Sequence, residues 1–381
     1  MRVGVFVLAA QFPGQGHGEA LHRAVRSAEA AEAAGLDSVW LAEHHFVPYG
    51  VCPSAVTLAA LLLGRTQRMR VGTAVSVLPT VHPVALGEQA ALLHLTSGGR
   101  FSLGVGRGGP WVDLEVFGAG LAAYEKHFPE SLDLLLRWLR ESRVGSEGER
   151  FAFREVPVVP RPGDLIDGYP LGGHPVGGHP VGGHPVGGCP IDRHPIAGHP
   201  AGGHGPGPAG PEVVVACTSP ATVRLAAERG LPMLLGMHCG DEEKADMVAL
   251  WRSHALASGH DMETVAAAGH VSAGLVQIAD RRTAAEEALA KAMPGWLKQG
   301  LAAHVTVDGR QRAMRDPVRY TELLCRLHPV GPPSLAADRL AATAERTGIT
   351  RFALLAEGSG DLAATEDNVR RLGAEVLPLL R

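Results

Sequence analysis

The sequence has no surplus of either charge, no long apolar run and no paired cysteines. Lys plus Arg number 35 and Asp plus Glu 39, for a formal charge of −4. Proteins that bind nucleic acid through its phosphates carry a basic surplus, and none is present here. The longest mainly apolar stretch, Ala55–Leu63, falls far short of the roughly 20 residues needed to cross a bilayer. The five cysteines are scattered and no C-x-x-C pair occurs. A disulfide framework and a zinc site are therefore not expected, and a reducing cytoplasm is. The apolar segment Arg2–Ala10 runs directly into a helical pattern. It reads as a first buried strand and not as a secretory leader.

What is present is a chain of 381 residues, 45% hydrophobic and 19% charged, enough for one large domain with a sizeable core. Glycine and proline are in excess, and the excess is local. Between Gly168 and Pro211 lie 15 Gly, 10 Pro and 6 His in 44 residues. His174-Pro-Val-Gly-Gly recurs at His179 and His184, with degenerate echoes beyond. Histidines at five-residue spacing raise metal binding. Pro, which blocks helix and sheet, and Gly, which maximises chain entropy, favour a low-complexity loop with nothing to bury. We expect an insertion at 168–211 inside a single domain spanning 1–381, with no metal role.

Elsewhere short apolar strands alternate with amphipathic helices. Strands are expected at Val3–Leu8, Ser38–Ala42, Arg70–Val77, Phe101–Val105, Glu212–Cys217, Met233–Gly236, Gly269–Ala279 and Arg351–Ala356. Helices follow them, among them Leu121–Glu141 and Thr283–Ala292; residues 294–333 have no clear period. Eight strand–helix units with near-continuous apolar strands predict a (β/α)8 TIM barrel, with a doubly wound open sheet as the alternative. In both folds ligands sit at the carboxyl ends of the strands.

Those ends carry polar or Gly-rich groups. Ser219 precedes Pro220, a good first helical residue, so Ser219 is a candidate N-cap with Thr222 one turn in. A helix N-terminus with two hydroxyls attracts anions, and Arg107, between Gly106 and Gly108, can add the cation. The simpler reading of Ser219 is a helix cap alone. Gly104–Gly109 fits G-x-G-x-x-G by letters, yet it follows no first strand and lacks the acidic residue expected downstream. It suits a phosphate loop better than a nicotinamide fingerprint. His44 and His45 follow the second strand. Adjacent side chains leaving a strand point to opposite sides, so one is expected at the barrel mouth and the other toward a helix layer or a partner chain. Metal-ligand spacing is absent around them.

The ordered blocks Leu41-Ala-Glu-His-His-Phe46, Leu63-Gly-Arg-Thr66, Val71-Gly-Thr-Ala74, Leu78-Pro-Thr-Val-His-Pro83, Gly99-Arg-Phe101, Gly106-Arg-Gly108, Gly230-Leu-Pro-Met233 and Pro329-Val-Gly331 strongly resemble the luciferase-like flavin monooxygenases, the bacterial luciferase alpha subunit among them. The resemblance implies a (β/α)8 barrel that binds reduced FMN, with O2 as co-substrate, and forms a flavin C4a-hydroperoxide that attacks an aldehyde or another carbonyl or alkene. It implies that Arg107, Ser219, Thr222 and the backbone at Thr218 hold the FMN phosphate beside Gly106. It places a cis peptide at Ala74-Val75 under the flavin ring and makes His44 the catalytic histidine. It also implies a separate NAD(P)H:flavin reductase and a homo- or heterodimer formed through His45, His82 and Glu88. This chain keeps the His44 and Arg107 that the non-catalytic beta subunit lacks. It departs from the family in having Gly106 where many luciferases have a reactive thiol, and in residues 235–238 and 294–320. Two further readings are a deazaflavin (F420)-dependent hydride-transfer oxidoreductase and a non-catalytic flavin-binding subunit.

Overall fold

The computed structural model describes residues 1–165, 210–310 and 315–380. Eight strands form the frame: β1 (Arg2–Val7), β2 (Ser38–Leu41), β3 (Arg70–Thr73), β4 (Phe101–Gly106), β5 (Glu212–Cys217), β6 (Met233–Leu235), β7 (Val271–Leu275) and β8 (Arg351–Leu355). Each pairs in parallel with the next, and β8 pairs back onto β1. The ring closes, so the fold is a TIM barrel with flanking helices and not the open sheet. The strand alternation explains the layers. Val5, Val39, Val71, Leu103, Val215 and Leu354 point outward beneath the helices. Phe6, Trp40, Val214, Leu234, Ala273 and Ala353 point inward and fill the barrel.

Pairing between β3 and β4 is brief, Val71 with Phe101 and Gly72 with Ser102. Above it the Thr73 hydroxyl takes over the ladder, accepting from Gly104 N at 2.9 Å and donating to Gly104 O at 2.7 Å. Beyond Thr73 the peptide bond Ala74-Val75 is cis, and a short strand, Ser76–Val77, then pairs with the end of β4. The expected strand Arg70–Val77 is thus two pieces. Likewise Leu121–Glu141 divides into helices Leu121–Glu125 and Phe128–Arg140.

The amino-terminal end of the barrel is closed by charge. Arg351 forks onto both oxygens of Glu212, at 2.5 and 2.9 Å, and Ser102 donates to the same carboxylate at 3.1 Å. Burial alone would raise the Glu212 pKa; the hydrogen bond and charge of Arg351 outweigh it and lower the pKa. Arg351→Met should lower stability by about 2 kcal/mol, because it leaves a half-buried carboxylate unpaired. Urea denaturation at pH 7 measures this, and an unchanged midpoint would mean that water replaces the arginine at no cost.

The tract expected as an insertion, 168–211, lies almost wholly in 166–209, outside the described residues. The chain leaves at residue 165 and re-enters at Gly210, where a Cβ added to Gly210 would lie 3.1 Å from Pro162 Cβ. Gly210 therefore lies against Pro162, which follows the hairpin Arg143–Glu147/Ala152–Pro157. Among the described residues, no helix is long and apolar enough to cross a membrane, and Cys52, Cys217, Cys239 and Cys325 are free.

Candidate active site

The floor is sealed, so the accessible interior lies at the carboxyl ends of the strands. A cavity of about 360 Å³ opens there, with mainly apolar walls that include Leu8, Ala42, Val75, Leu234 and Ala273. His44, His45 and Asp113 also line it, as do Ala74 and Thr218.

Glu43 organises the loop that carries the histidine pair. Its carboxylate accepts from Val77 N at 3.0 Å and from Ala55 N at 3.2 Å, tying the end of β2 to the short strand and to helix Ala55–Arg65. The His44 backbone N–H donates to Cys52 O at 3.0 Å. The His44 ring stands edge-on to Tyr49, with centroids 5.1 Å apart, and its Nδ1 is buried without a partner. Burial, aided by His304 and His45, pushes the His44 pKa down to about 3, so the imidazole is neutral at pH 7.

His45 also lines the cavity, against the expectation that only one of the pair would face it. The strand ends at Leu41, and Phe46 has φ of +63°, so residues 42–46 follow a loop and strand alternation does not apply. The His45 ring meets Phe117 edge-on at 4.9 Å, and its Nε2 lies 3.6 Å from Glu43. His82 sits elsewhere, as N-cap of helix Pro83–Thr96, accepting from Val84 N at 3.2 Å. Glu88 is exposed on that helix.

The register of β4 against β5 brings the loops at Arg107 and Thr218–Ser219 side by side. Ser219 caps helix Pro220–Glu228 and forms a reciprocal box with Thr222. Their hydroxyls lie 3.2 Å apart, and Thr222 Oγ1 donates to Ser219 O at 2.9 Å. The simple capping reading is therefore realised, and it leaves the positive helix end facing out beside an exposed Thr218. The Arg107 guanidinium lies 4.3 Å over the Tyr124 ring, and no carboxylate among the described residues pairs with it. An unpaired cation beside a helix N-terminus is a fit place for a phosphate monoester.

Several lining residues have no counterpart among the strand-end motifs: Tyr49, Trp111, Asp113, His238, His304 and Tyr320. Tyr320 reaches the mouth from helix Pro317–Leu327 and Asp113 from the short helix Asp113–Val116, and the others come from loops.

Two other imidazoles share the state of His44. Burial holds His270 at about 4 and His328 at about 3. The unfolded chain takes up these protons below about pH 6.5, while the folded chain does not until far lower. Stability should therefore be full above pH 6.5 and fall as pH drops, by up to about 1.4 kcal/mol per pH unit for each histidine that stays neutral. Thermal unfolding at pH 7.5, 6.5 and 5.5 tests this. A constant midpoint would mean that the folded imidazoles protonate normally.

Barrel and mouth cavity define a TIM-barrel protein whose accessible interior lies at the carboxyl ends of the strands. The luciferase-like monooxygenase family model matches residues 1–351, and the chain belongs to that family. It is 26% identical to the alkanal monooxygenase alpha chain of the Kryptophanaron alfredi symbiont, over 100% of this chain and 99% of that one. Two solved structures share the fold. One is the oxygenating constituent of 3,6-diketocamphane monooxygenase from Pseudomonas putida in complex with FMN, with TM-score 0.68 and 20% identity over 99% and 98% of the chains. The other is an F420-dependent secondary alcohol dehydrogenase, with TM-score 0.68 and 15% identity over 100% and 99%.

Proposed function

We propose that this chain is a monooxygenase that binds reduced FMN at the barrel mouth and uses it, with O2, to oxidise an aldehyde or another carbonyl- or alkene-bearing small molecule. One observation carries the reading: a largely apolar cavity holds a neutral His44 whose Nδ1 has no partner among the described residues, and Arg107, with no carboxylate partner among them, stands in the loop after β4 next to the capped helix end. The donor set fits a flavin phosphate, and the dry walls fit redox chemistry that water would spoil. Bound reduced flavin would supply the electrons that activate O2. Arg107, Ser219, Thr222 and the backbone at Thr218 would hold the phosphate, with Gly106 allowing close approach. Ala74 and Val75 would meet the ring system from the cavity wall. His44 would hold or pass a proton at its ring, and the apolar walls would exclude water.

A separate NAD(P)H:flavin reductase would deliver the reduced flavin, since the chain has no nicotinamide fingerprint in a fitting context. A dimer through the surface at His82 and Glu88, in the cytoplasm, completes the reading, and the family resemblance supports it.

The test is anaerobic titration with reduced FMN and with reduced F420, followed by admission of O2 in the presence of long-chain and cyclic carbonyl compounds. Tighter FMN binding and O2-dependent product are expected. Tighter F420 binding with substrate reduction or oxidation in the absence of O2 would replace the reading with hydride transfer. Flavin binding without any turnover would indicate a non-catalytic subunit.

A further inference from the structure

We propose that His304 determines substrate choice: its Nε2 accepts a hydrogen bond from a hydroxyl group on an otherwise apolar substrate. The proposal deepens the reading of the cavity as the place where a small molecule is oxidised.

His304 follows the long helix Arg282–Ala302 and lines the cavity. Its Nδ1 lies 3.3 Å from Leu301 O. A carbonyl oxygen can only accept, so Nδ1 carries the hydrogen and Nε2 is left with its lone pair. The carbonyls of Leu301 and Gly300 are the ring's backbone acceptors, and no described side chain hydrogen-bonds Nε2. Burial lowers the His304 pKa, which keeps the ring in this singly protonated form.

The ring is held on several sides. Trp111 packs against it with centroids 4.7 Å apart, and Tyr49 meets it at 6.1 Å. Its backbone is held by a clasp across the cavity mouth. Val112 N donates to Val305 O at 2.9 Å, and Val307 N donates to Pro110 O at 2.9 Å. An acceptor fixed in this way distinguishes an O–H from an O–CH3 at the same position, because only the first can satisfy it. Among the described lining residues none is Lys or Arg, the carboxyls of Glu43 and Asp113 are present, and the Arg315 guanidinium lies just outside them over the Tyr320 ring. A phenol, an enol or the hydrate of an aldehyde would satisfy the acceptor, and the matching methyl ether would not.

The experiment compares two probes, 2-naphthol and 2-methoxynaphthalene, by calorimetric titration of the full chain without flavin. The wild type should bind 2-naphthol about three- to tenfold more tightly than its methyl ether, the range expected of one neutral hydrogen bond. His304→Phe should equalise naphthol and ether, with ether affinity kept as the internal control for an intact cavity. His304→Gln, whose amide oxygen can accept near the Nε2 position, should restore part of the preference. Equal binding of naphthol and ether by the wild type overturns the proposal, as does a preference that survives His304→Phe, or no binding of either probe. Because no flavin or O2 is used, the outcome is independent of the monooxygenase reading. FMN affinity, measured separately on the same variants, tells the two failures apart.

Discussion

His44→Ala should bind reduced FMN nearly as the wild type does and lose about 10²- to 10⁴-fold in product formation, the range for loss of a positioned acid or base. The ring has little structural work to do. Its Nδ1 is unpartnered, its packing partner is the edge of Tyr49, and Glu43 and the backbone bond to Cys52 hold the loop without it. Removing it leaves the apolar walls in place, so folding and flavin affinity should survive. Flavin oxidation should then proceed with release of H2O2 in place of oxygenated product. The measurement is product formed per flavin oxidised. A variant with full yield would move proton handling to another lining group, and His304 would be the first to test.

His45→Ala makes the contrast. Its ring packs on Phe117 near the cavity rim and lies 3.6 Å from Glu43, so its removal disturbs the loop more than the chemistry. A smaller fall in yield is expected, with any larger effect read as a change of oligomeric state in sedimentation. The loop after β2 also shows where reading from sequence stops. Side-chain alternation is a rule for extended backbone, and the strand has ended at Leu41, three residues before His44, so it does not govern the two rings.

The barrel itself was legible because its strands are buried on both faces and read as apolar runs punctuated by glycine. The Ser219 cap was legible because a Ser before Pro at a helix start is a local signal that needs no tertiary context. The roof of the cavity was not. The helix expected to end at Ala292 continues to Ala302 through Pro294. An internal proline costs a helix about 3 kcal/mol, and burial elsewhere can exceed that. Here Trp296 stacks on Phe12 at 5.5 Å and on Tyr49 at 5.0 Å, and Leu297 is buried with it. That continuation delivers His304 to the mouth. Without it, His304 and Tyr49 stand 255 positions apart in the sequence with no shared motif, although their rings come within 6.1 Å.

Arg107→Ala should weaken reduced-FMN binding by about 10- to 100-fold, the size expected for one or two charge-assisted hydrogen bonds. Riboflavin, which has the same ring system and no phosphate, should bind the variant and the wild type alike. The guanidinium has no carboxylate partner among the described residues and rests on the face of Tyr124, so its loss strands no buried charge and should cost little stability. Ser219→Ala separates the neighbouring contribution. It removes the N-cap of helix Pro220–Glu228, so it should lower stability by about 1 kcal/mol as well as flavin affinity. Raising the salt concentration should weaken FMN binding by the wild type more than by Arg107→Ala, because the variant has already lost the charge that salt screens. The measurement is fluorescence titration of FMN and riboflavin against all three proteins at two ionic strengths. Equal losses for FMN and riboflavin in Arg107→Ala would assign the arginine to the packing of Tyr124, and the phosphate would have to be held by the helix end alone.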